Sequence, residues 1–218
     1  MEEFVLRKIE NYSRQTSSQL TREIRWFFGT ENPQKHRLKE RYLTHADFQH
    51  RIDTYYPIPG RIDWGLKSRE GKYELKRLIA AYEPLRFSKT AAGKHEGWEK
   101  WEITGEEIKD WEAWISDNGL QPFSLEKRRW VSKMQLDSEG KVEMHGYNVR
   151  FEKGCQIEYT ELSWDSRVCF TFGLELFGGE VWDKFLSFFS SVFENQTLKL
   201  ENSYGYPCFI EKILGKSR

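Results

Sequence analysis

The chain has 218 residues and equal numbers of basic (Lys and Arg) and acidic (Asp and Glu) residues, 34 of each. Its zero net charge excludes the overall basic field on which general nucleic-acid affinity depends, and no apolar run approaches the roughly 20 residues of a membrane span. Residues 1–10 mix acidic and basic side chains, unlike a secretory signal. We therefore expect one cytoplasmic domain over residues 1–218, with residues 1–18 as a loose arm or a short helix.

Aromatic residues make up 16% of the chain and include nine Trp, whereas hydrophobic residues reach only 38%. Such a composition predicts a core of rings and β-branched side chains, which is typical of sheets. The cysteines are odd in number and far apart (Cys155, Cys169 and Cys208), so they indicate buried thiols rather than a disulfide framework or a zinc site.

Alternation of apolar and charged residues predicts the first strands. Residues 22–28 place Glu23 and Arg25 on the face opposite Ile24 and Trp26. A strand over these residues therefore has one charged face and one apolar face.

A second strand is predicted over residues 51–56, and a hairpin follows it. Residues 61–69 and 72–79 alternate in the same way, with Glu70 and Gly71 as the short turn between them.

The middle of the chain combines strands with one helix. Residues 98–103 are predicted as a strand, and Thr104 is a candidate N-cap for a helix that ends near Gly119. Residues 125–136 and 141–151 are predicted as two strands joined by a turn.

The last third contains a hairpin and a helix. Residues 155–162 and 168–177 alternate as strands, and residues 179–195 have the apolar spacing of an amphipathic helix. The whole pattern predicts an α+β protein, mainly antiparallel β, with eight or nine strands and two or three helices. It has too few intervening helices for a doubly wound parallel sheet.

Charged residues recur at the centres of these strands. The basic members are Arg25, Arg51, Lys67, Arg69, Lys76, Lys127 and Arg129, and the acidic members are Glu23, Asp53, Glu74, Glu158 and Glu175. In a single strand, a solvated outer face explains such charges. If the strands close into a barrel with helices over its apolar exterior, the same charges line the interior.

A charged interior suits a phosphorylated ligand. Guanidinium groups bind phosphate oxygens in a bidentate manner, and ammonium groups add point charge. Carboxylates in the same lumen suit Mg²⁺ or Mn²⁺, which prefer oxygen ligands and connect phosphates to proteins.

An ordered set of segments over residues 21–210 resembles the CYTH, or triphosphate tunnel, superfamily. The segments are Glu23-Ile24-Arg25-Trp26-Phe27, Arg51-Ile52-Asp53-Thr54-Tyr55-Tyr56, Lys67-Ser68-Arg69 with Glu74-Leu75-Lys76, Lys127-Arg128-Arg129, Glu158-Tyr159-Thr160-Glu161 and Gly173-Leu174-Glu175. The resemblance implies an eight-stranded antiparallel barrel that binds or cleaves triphosphates with a divalent metal.

The resemblance also implies roles for individual residues. The substrate-binding candidates are Arg25, Arg51, Lys67, Arg69, Lys76, Lys127 and Arg129. The metal candidates, for Mg²⁺ or Mn²⁺, are Glu23, Glu158 and Glu175. Lys76 and Glu175 are the catalytic candidates, and the implied partner is a triphosphate-containing small molecule or an RNA 5′ end, with no membrane.

The sequence departs from the family pattern mainly in its acids. Arg25 stands where the first-strand E-x-E-x-K has its second Glu, and Phe27 stands in place of the Lys. Gly173 stands where the final E-x-E has its first carboxylate. Because metal activation of water needs those acids, the sequence supports anion binding better than catalysis.

Three hypotheses follow. The first is a metal-dependent triphosphate hydrolase, and the second is a non-catalytic barrel that binds a polyanion in a basic lumen. The third is an interaction or assembly protein whose strand charges are solvated.

Overall fold

The structure is a computed structural model that describes residues 8–12, 16–32, 37–40, 46–150, 152–178 and 182–215. The strands are β1 (Gln19–Phe28), β2 (Asp47–Tyr55), β3 (Trp64–Arg69), β4 (Lys72–Arg86), β5 (Ala92–Ile103), β6 (Phe123–Leu136), β7 (Val142–Gly146), β8 (Gly154–Trp164) and β9 (Arg167–Phe177). The longer helices are α1 (Glu107–Asp117), α2 (Trp182–Phe193) and α3 (Tyr206–Gly215). Residues 8–12 and 37–40 are also helical.

Eight strands close into an antiparallel barrel. Their order is β2-β3-β4-β5-β1-β9-β8-β6, and pairing of β6 with β2 closes the ring. The first part of β6 pairs with β2, and its last part, residues 132–136, pairs with the extra strand β7. The predicted mainly antiparallel barrel is confirmed.

Two tight turns fix the register of the hairpins that border the barrel interior. Glu70 and Gly71, between β3 and β4, have φ angles of 51° and 74°. Asp165 and Ser166, between β8 and β9, have φ angles of 43° and 62°. Positive φ at both central residues is the geometry of a type I′ turn, whose twist matches that of paired strands.

Helices cover the apolar outer face of the barrel on two sides. On β1, β8 and β9, the buried Trp26 and Phe172 pack against Phe193 of α2. On β3, β4 and β5, Trp101 lies in one cluster with Trp111 of α1. Because side chains alternate along a strand, covering the apolar face turns the charged face inward.

The C-terminal helix α3, which the sequence pattern did not predict, closes one end of the barrel. Its Phe209 stacks on Phe27 of β1, with ring centroids 4.3 Å apart and an interplanar angle of 7°. Tyr206 packs beside Tyr55 of β2 in the same cluster. Phe27, Tyr55, Tyr206 and Phe209 together form an apolar plug at this end of the barrel. The aromatic residue at position 27, where the family pattern has Lys, is therefore part of this plug.

Several boundaries differ from the predictions. Helix α1 begins at Glu107 with Glu106 in the N-cap position and no side-chain cap hydrogen bond, so the prediction of Thr104 as N-cap is wrong. Strands β4 and β5 are longer than predicted, and β7 ends at Gly146. Of the predicted arm, residues 1–7 and 13–15 lie outside the described residues.

No helix in the described ranges combines the length and the apolar character needed to cross a membrane.

We predict that Phe209→Ala destabilises the fold by about 3–5 kcal/mol, because it removes a buried ring from the plug. Urea denaturation measures the change. Leu20→Ala is the matched control, because Leu20 is 59% exposed on β1 and its loss should cost less than about 0.5 kcal/mol. A Phe209→Ala protein as stable as the control would show that α3 does not contribute to the barrel.

Candidate ligand-binding lumen

All the site residues predicted from the sequence line one cavity of about 180 Å³ inside the barrel. Its basic lining residues are Arg25, Arg51, Lys67, Arg69, Lys76, Lys100, Lys127 and Arg129, and its acidic lining residues are Glu23, Glu74, Glu158 and Glu175. Among the described residues, eight basic groups therefore meet four carboxylates. The charges face the lumen rather than a solvated outer surface, which removes the premise of the third hypothesis.

Glu158 is the centre of a buried ionic cluster. Arg25 Nη1 lies 2.9 Å from Glu158 Oε1, and the Arg129 guanidinium donates to Glu158 Oε2 through Nε, at 3.0 Å, and through Nη2. The Thr160 hydroxyl also donates to Oε1, at 2.9 Å. Burial raises the pKa of Glu158, but attraction to Arg129 and Arg25 outweighs it and holds the pKa well below its usual range.

Gly173 makes room for this cluster. It is the cross-strand partner of Arg25 on one side and of Glu158 on the other, so the ion pair passes over it. A Cβ at position 173 would lie 2.6 Å from Arg25 Cζ, far inside van der Waals contact. The two departures from the family pattern, Arg25 for Glu and Gly173 for Glu, are therefore linked by geometry. The guanidinium of Arg25 occupies the space that a side chain at position 173 would need.

Asp53 is the centre of a second buried ionic cluster and lies behind the residues that line the lumen. Its carboxylate is fully buried, with Lys127 Nζ at 2.9 Å, Arg51 Nε at 3.1 Å and Lys67 Nζ at 3.6 Å. Lys67 also contacts Glu74, at 3.0 Å. Three cations therefore share Asp53, and one of them, Lys67, is also paired with Glu74.

Lys127 lies at the plugged end of the lumen. Its ammonium donates to the Tyr55 hydroxyl at 2.6 Å and lies 3.8 Å from the Tyr206 ring centroid. Burial lowers its pKa well below the usual value, despite the attraction of Asp53. The Tyr206 hydroxyl is buried and has no hydrogen-bond partner among the described residues.

A third cluster joins four neighbouring strands, β4, β5, β1 and β9. Lys100 Nζ of β5 lies 2.8 Å from Glu23 Oε1 of β1 and 2.7 Å from Glu175 Oε1 of β9. Lys76 Nζ of β4 lies 3.4 Å from Glu23 Oε2 and 4.0 Å from the Trp98 ring centroid. Burial lowers the pKa of Lys76.

Sequence reasoning missed Lys100 and Tyr206. Lys100 and Trp98 lie on the same face of β5, two residues apart. This face therefore lacked the run of charged residues by which the other lumen residues were predicted. Tyr206 belongs to the unpredicted α3. The Gly205-Tyr206-Pro207 sequence was the available signal, because Gly commonly precedes and Pro commonly enters a first helical turn.

The three predicted metal ligands do not fit a divalent ion in this arrangement. Both oxygens of Glu158 are held by arginines, and Glu23 and Glu175 are held by Lys100. Within the part of the chain that the structure describes, no three His, Cys, Asp or Glu side chains group as a metal site.

We predict that Glu158→Gln destabilises the protein by about 3–5 kcal/mol, because it leaves two buried guanidinium groups without a counter-charge. Since the folded pKa of Glu158 lies below its ordinary value of 4.5, its contribution is present above that pH and is lost as the pH falls below it. The dependence of unfolding free energy on pH below about 4.5 should therefore weaken in the variant. Glu161→Gln, which breaks a more exposed pair with Arg128, is the control, with an expected loss under about 1 kcal/mol.

We predict that Gly173→Ala lowers the free energy of unfolding by about 1–3 kcal/mol through collision with Arg25. Gly29→Ala is the matched control, because an added methyl group there meets no atom within 4 Å. In a double-mutant cycle, Arg25→Ala should reduce the cost of Gly173→Ala. Strict additivity of the two changes would contradict the coupling.

No protein-family model and no curated protein matches the sequence. Several solved structures match it with probability 1.00. One is HpAC1 from Hippeastrum, described as a putative adenylyl cyclase with a dominant triphosphatase activity. It has a TM-score of 0.41 and 12% sequence identity, and the match covers 90% of this chain and 96% of that chain. The Pct1 RNA triphosphatase of Schizosaccharomyces pombe matches with a TM-score of 0.35 and 11% identity, covering 84% of this chain and 81% of that chain. A chain of the Mediator head module from the same yeast matches with a TM-score of 0.40 and 7% identity, covering 90% of this chain and 95% of that chain. TM-scores below 0.5 do not decide a function. The triphosphate-tunnel-like fold expected from the sequence is confirmed by the closed strand order and the charged lumen of this chain itself.

Proposed function

We propose that the barrel lumen binds a triphosphate or another polyphosphorylated ligand. The observation that carries the proposal is the excess of basic over acidic side chains in one cavity of about 180 Å³ inside the barrel. A net positive charge in a low-dielectric cleft attracts an anion. A ligand with several phosphate groups supplies several negative oxygens at once and so matches this lining.

The excess charge is not spread evenly along the lumen. Near the plug, Arg25 and Arg129 are balanced only in part by Glu158, and Tyr206 presents an unsatisfied hydroxyl. At the other end, the Arg69 guanidinium makes no ion pair or side-chain hydrogen bond within the described ranges. A chain of phosphates reaching inward from Arg69 would meet the three cations around Asp53 next.

The outer end of the lumen adjoins a wider cavity of about 390 Å³. The outer cavity is also lined by Ser17 and Tyr73, and the two cavities share five residues: Gln19, Lys67, Arg69, Glu74 and Lys100. It offers space for the organic part of a triphosphate ligand, either a small molecule or an RNA 5′ end, while the phosphates lie inside.

Binding is better supported than hydrolysis. Metal-assisted hydrolysis with Mg²⁺ or Mn²⁺ needs carboxylates that are free to ligate the ion, and Glu23, Glu158 and Glu175 are each held by a basic side chain. The catalytic roles suggested for Lys76 and Glu175 therefore stay predictions, which phosphate release from tripolyphosphate tests directly.

We predict that tripolyphosphate, in the presence of a chelator, raises the melting temperature of the protein, and that added NaCl weakens the effect by screening. Arg69→Ala should lower the affinity by about tenfold or more, because a hydrogen bond to a charged group is lost. The same variant should leave the stability of the free protein unchanged, since Arg69 has no partner to lose in the described structure.

Lys141→Ala is the matched control, because Lys141 is an exposed lysine on the turn before β7. Competition by a nucleoside triphosphate and by a 5′-triphosphate RNA then separates the two ligand sources. If no polyphosphate shifts the melting temperature, the proposed function is wrong.

A further inference from the structure

Lys100 occupies a position between two carboxylates that face each other across a strand pair. Glu23 and Glu175 are register partners on β1 and β9. Lys100 reaches them from β5, on the other side of β1, with its nitrogen 2.8 Å from one carboxylate and 2.7 Å from the other. Two carboxylates in register on one face repel each other unless a cation lies between them.

We propose that the Lys100 ammonium takes the place of a divalent metal ion between Glu23 and Glu175, so that the lumen binds its polyphosphate ligand without a metal. The role in ligand binding rests on the function proposed above, whereas the occupation of a metal position can be tested by itself.

Local charge balance supports the proposal. Glu23 and Glu175 carry two negative charges, and Lys100 with Lys76, whose nitrogen is 3.4 Å from Glu23, carries two positive charges. A divalent ion added to this set would leave an excess of positive charge, and the neighbouring Glu74 is already paired with Lys67 at 3.0 Å. The third predicted ligand, Glu158, is held by two arginines and offers no free oxygen.

The Lys100 ammonium, although paired with two carboxylates, can still contact a ligand. An ammonium group has three donors, and Lys100 donates one hydrogen bond to Glu175 and makes one ion contact with Glu23. Lys100 lines both the lumen and the wider outer cavity. A remaining N–H can therefore donate to a phosphate oxygen, as a water molecule on a metal ion would.

The test uses Mn²⁺ alone, without a phosphate ligand, and follows its binding by electron paramagnetic resonance. We expect Lys100→Met and Lys100→Gln to bind Mn²⁺ at least about tenfold more tightly than the wild type, because they leave two facing carboxylates without their cation. Lys100→Arg should behave as the wild type, since it restores the charge, and Lys141→Met is the exposed-lysine control. Adding Glu175→Gln to Lys100→Met should abolish the gained Mn²⁺ site.

Two results would overturn the proposal. One is folded Lys100→Met or Lys100→Gln protein that binds Mn²⁺ no better than the wild type. The other, which needs no variant at Lys100 to fold, is a wild-type protein that itself binds Mn²⁺ at a site lost in Glu175→Gln. Neither result depends on tripolyphosphate, so failure here and failure of the proposed function are distinguishable.

Discussion

A charge moved from water into a closed barrel must be compensated inside it, and the lumen of this protein is built around that requirement. Basic side chains from several strands form ion pairs with three acidic centres: Asp53, Glu158 and the Glu23–Glu175 pair. These ionic clusters connect strands that are distant in sequence. Because the basic groups outnumber the acids, compensation within the protein is incomplete, and the remainder is available to an anionic ligand.

The strands could be predicted from the sequence because their evidence is local, whereas the closure of the barrel was implied by the resemblance of the ordered charged segments. On β1, Ile24 and Trp26 alternate with Glu23 and Arg25, and the two-residue turn at Glu70 and Gly71 joins a pair of such strands. Alternation gives the two faces of each strand directly. The ordered charged segments then indicated which face would be enclosed, and the structure places every predicted site residue on it.

The remaining features could not be predicted in this way, because they depend on contacts between residues far apart in the chain. The collision that excludes a side chain at position 173 involves a guanidinium from position 25, and neither position alone reveals it. Lys100 was hidden because its inward neighbour Trp98 is aromatic. Helix α3 has only ten residues, and its packing on Phe27 and Tyr55 requires the closed barrel.

The apolar plug also limits how a ligand can move. In the described structure, Tyr206 and Phe209 close the end opposite Arg69, so the lumen is a blind channel rather than an open tube. A ligand must enter and leave by the same opening, and a linear polyanion longer than the channel can insert only one of its ends. For the polyphosphate ligand proposed above, such a channel would favour chain termini over internal segments, and withdrawal through the single opening would limit the exchange rate.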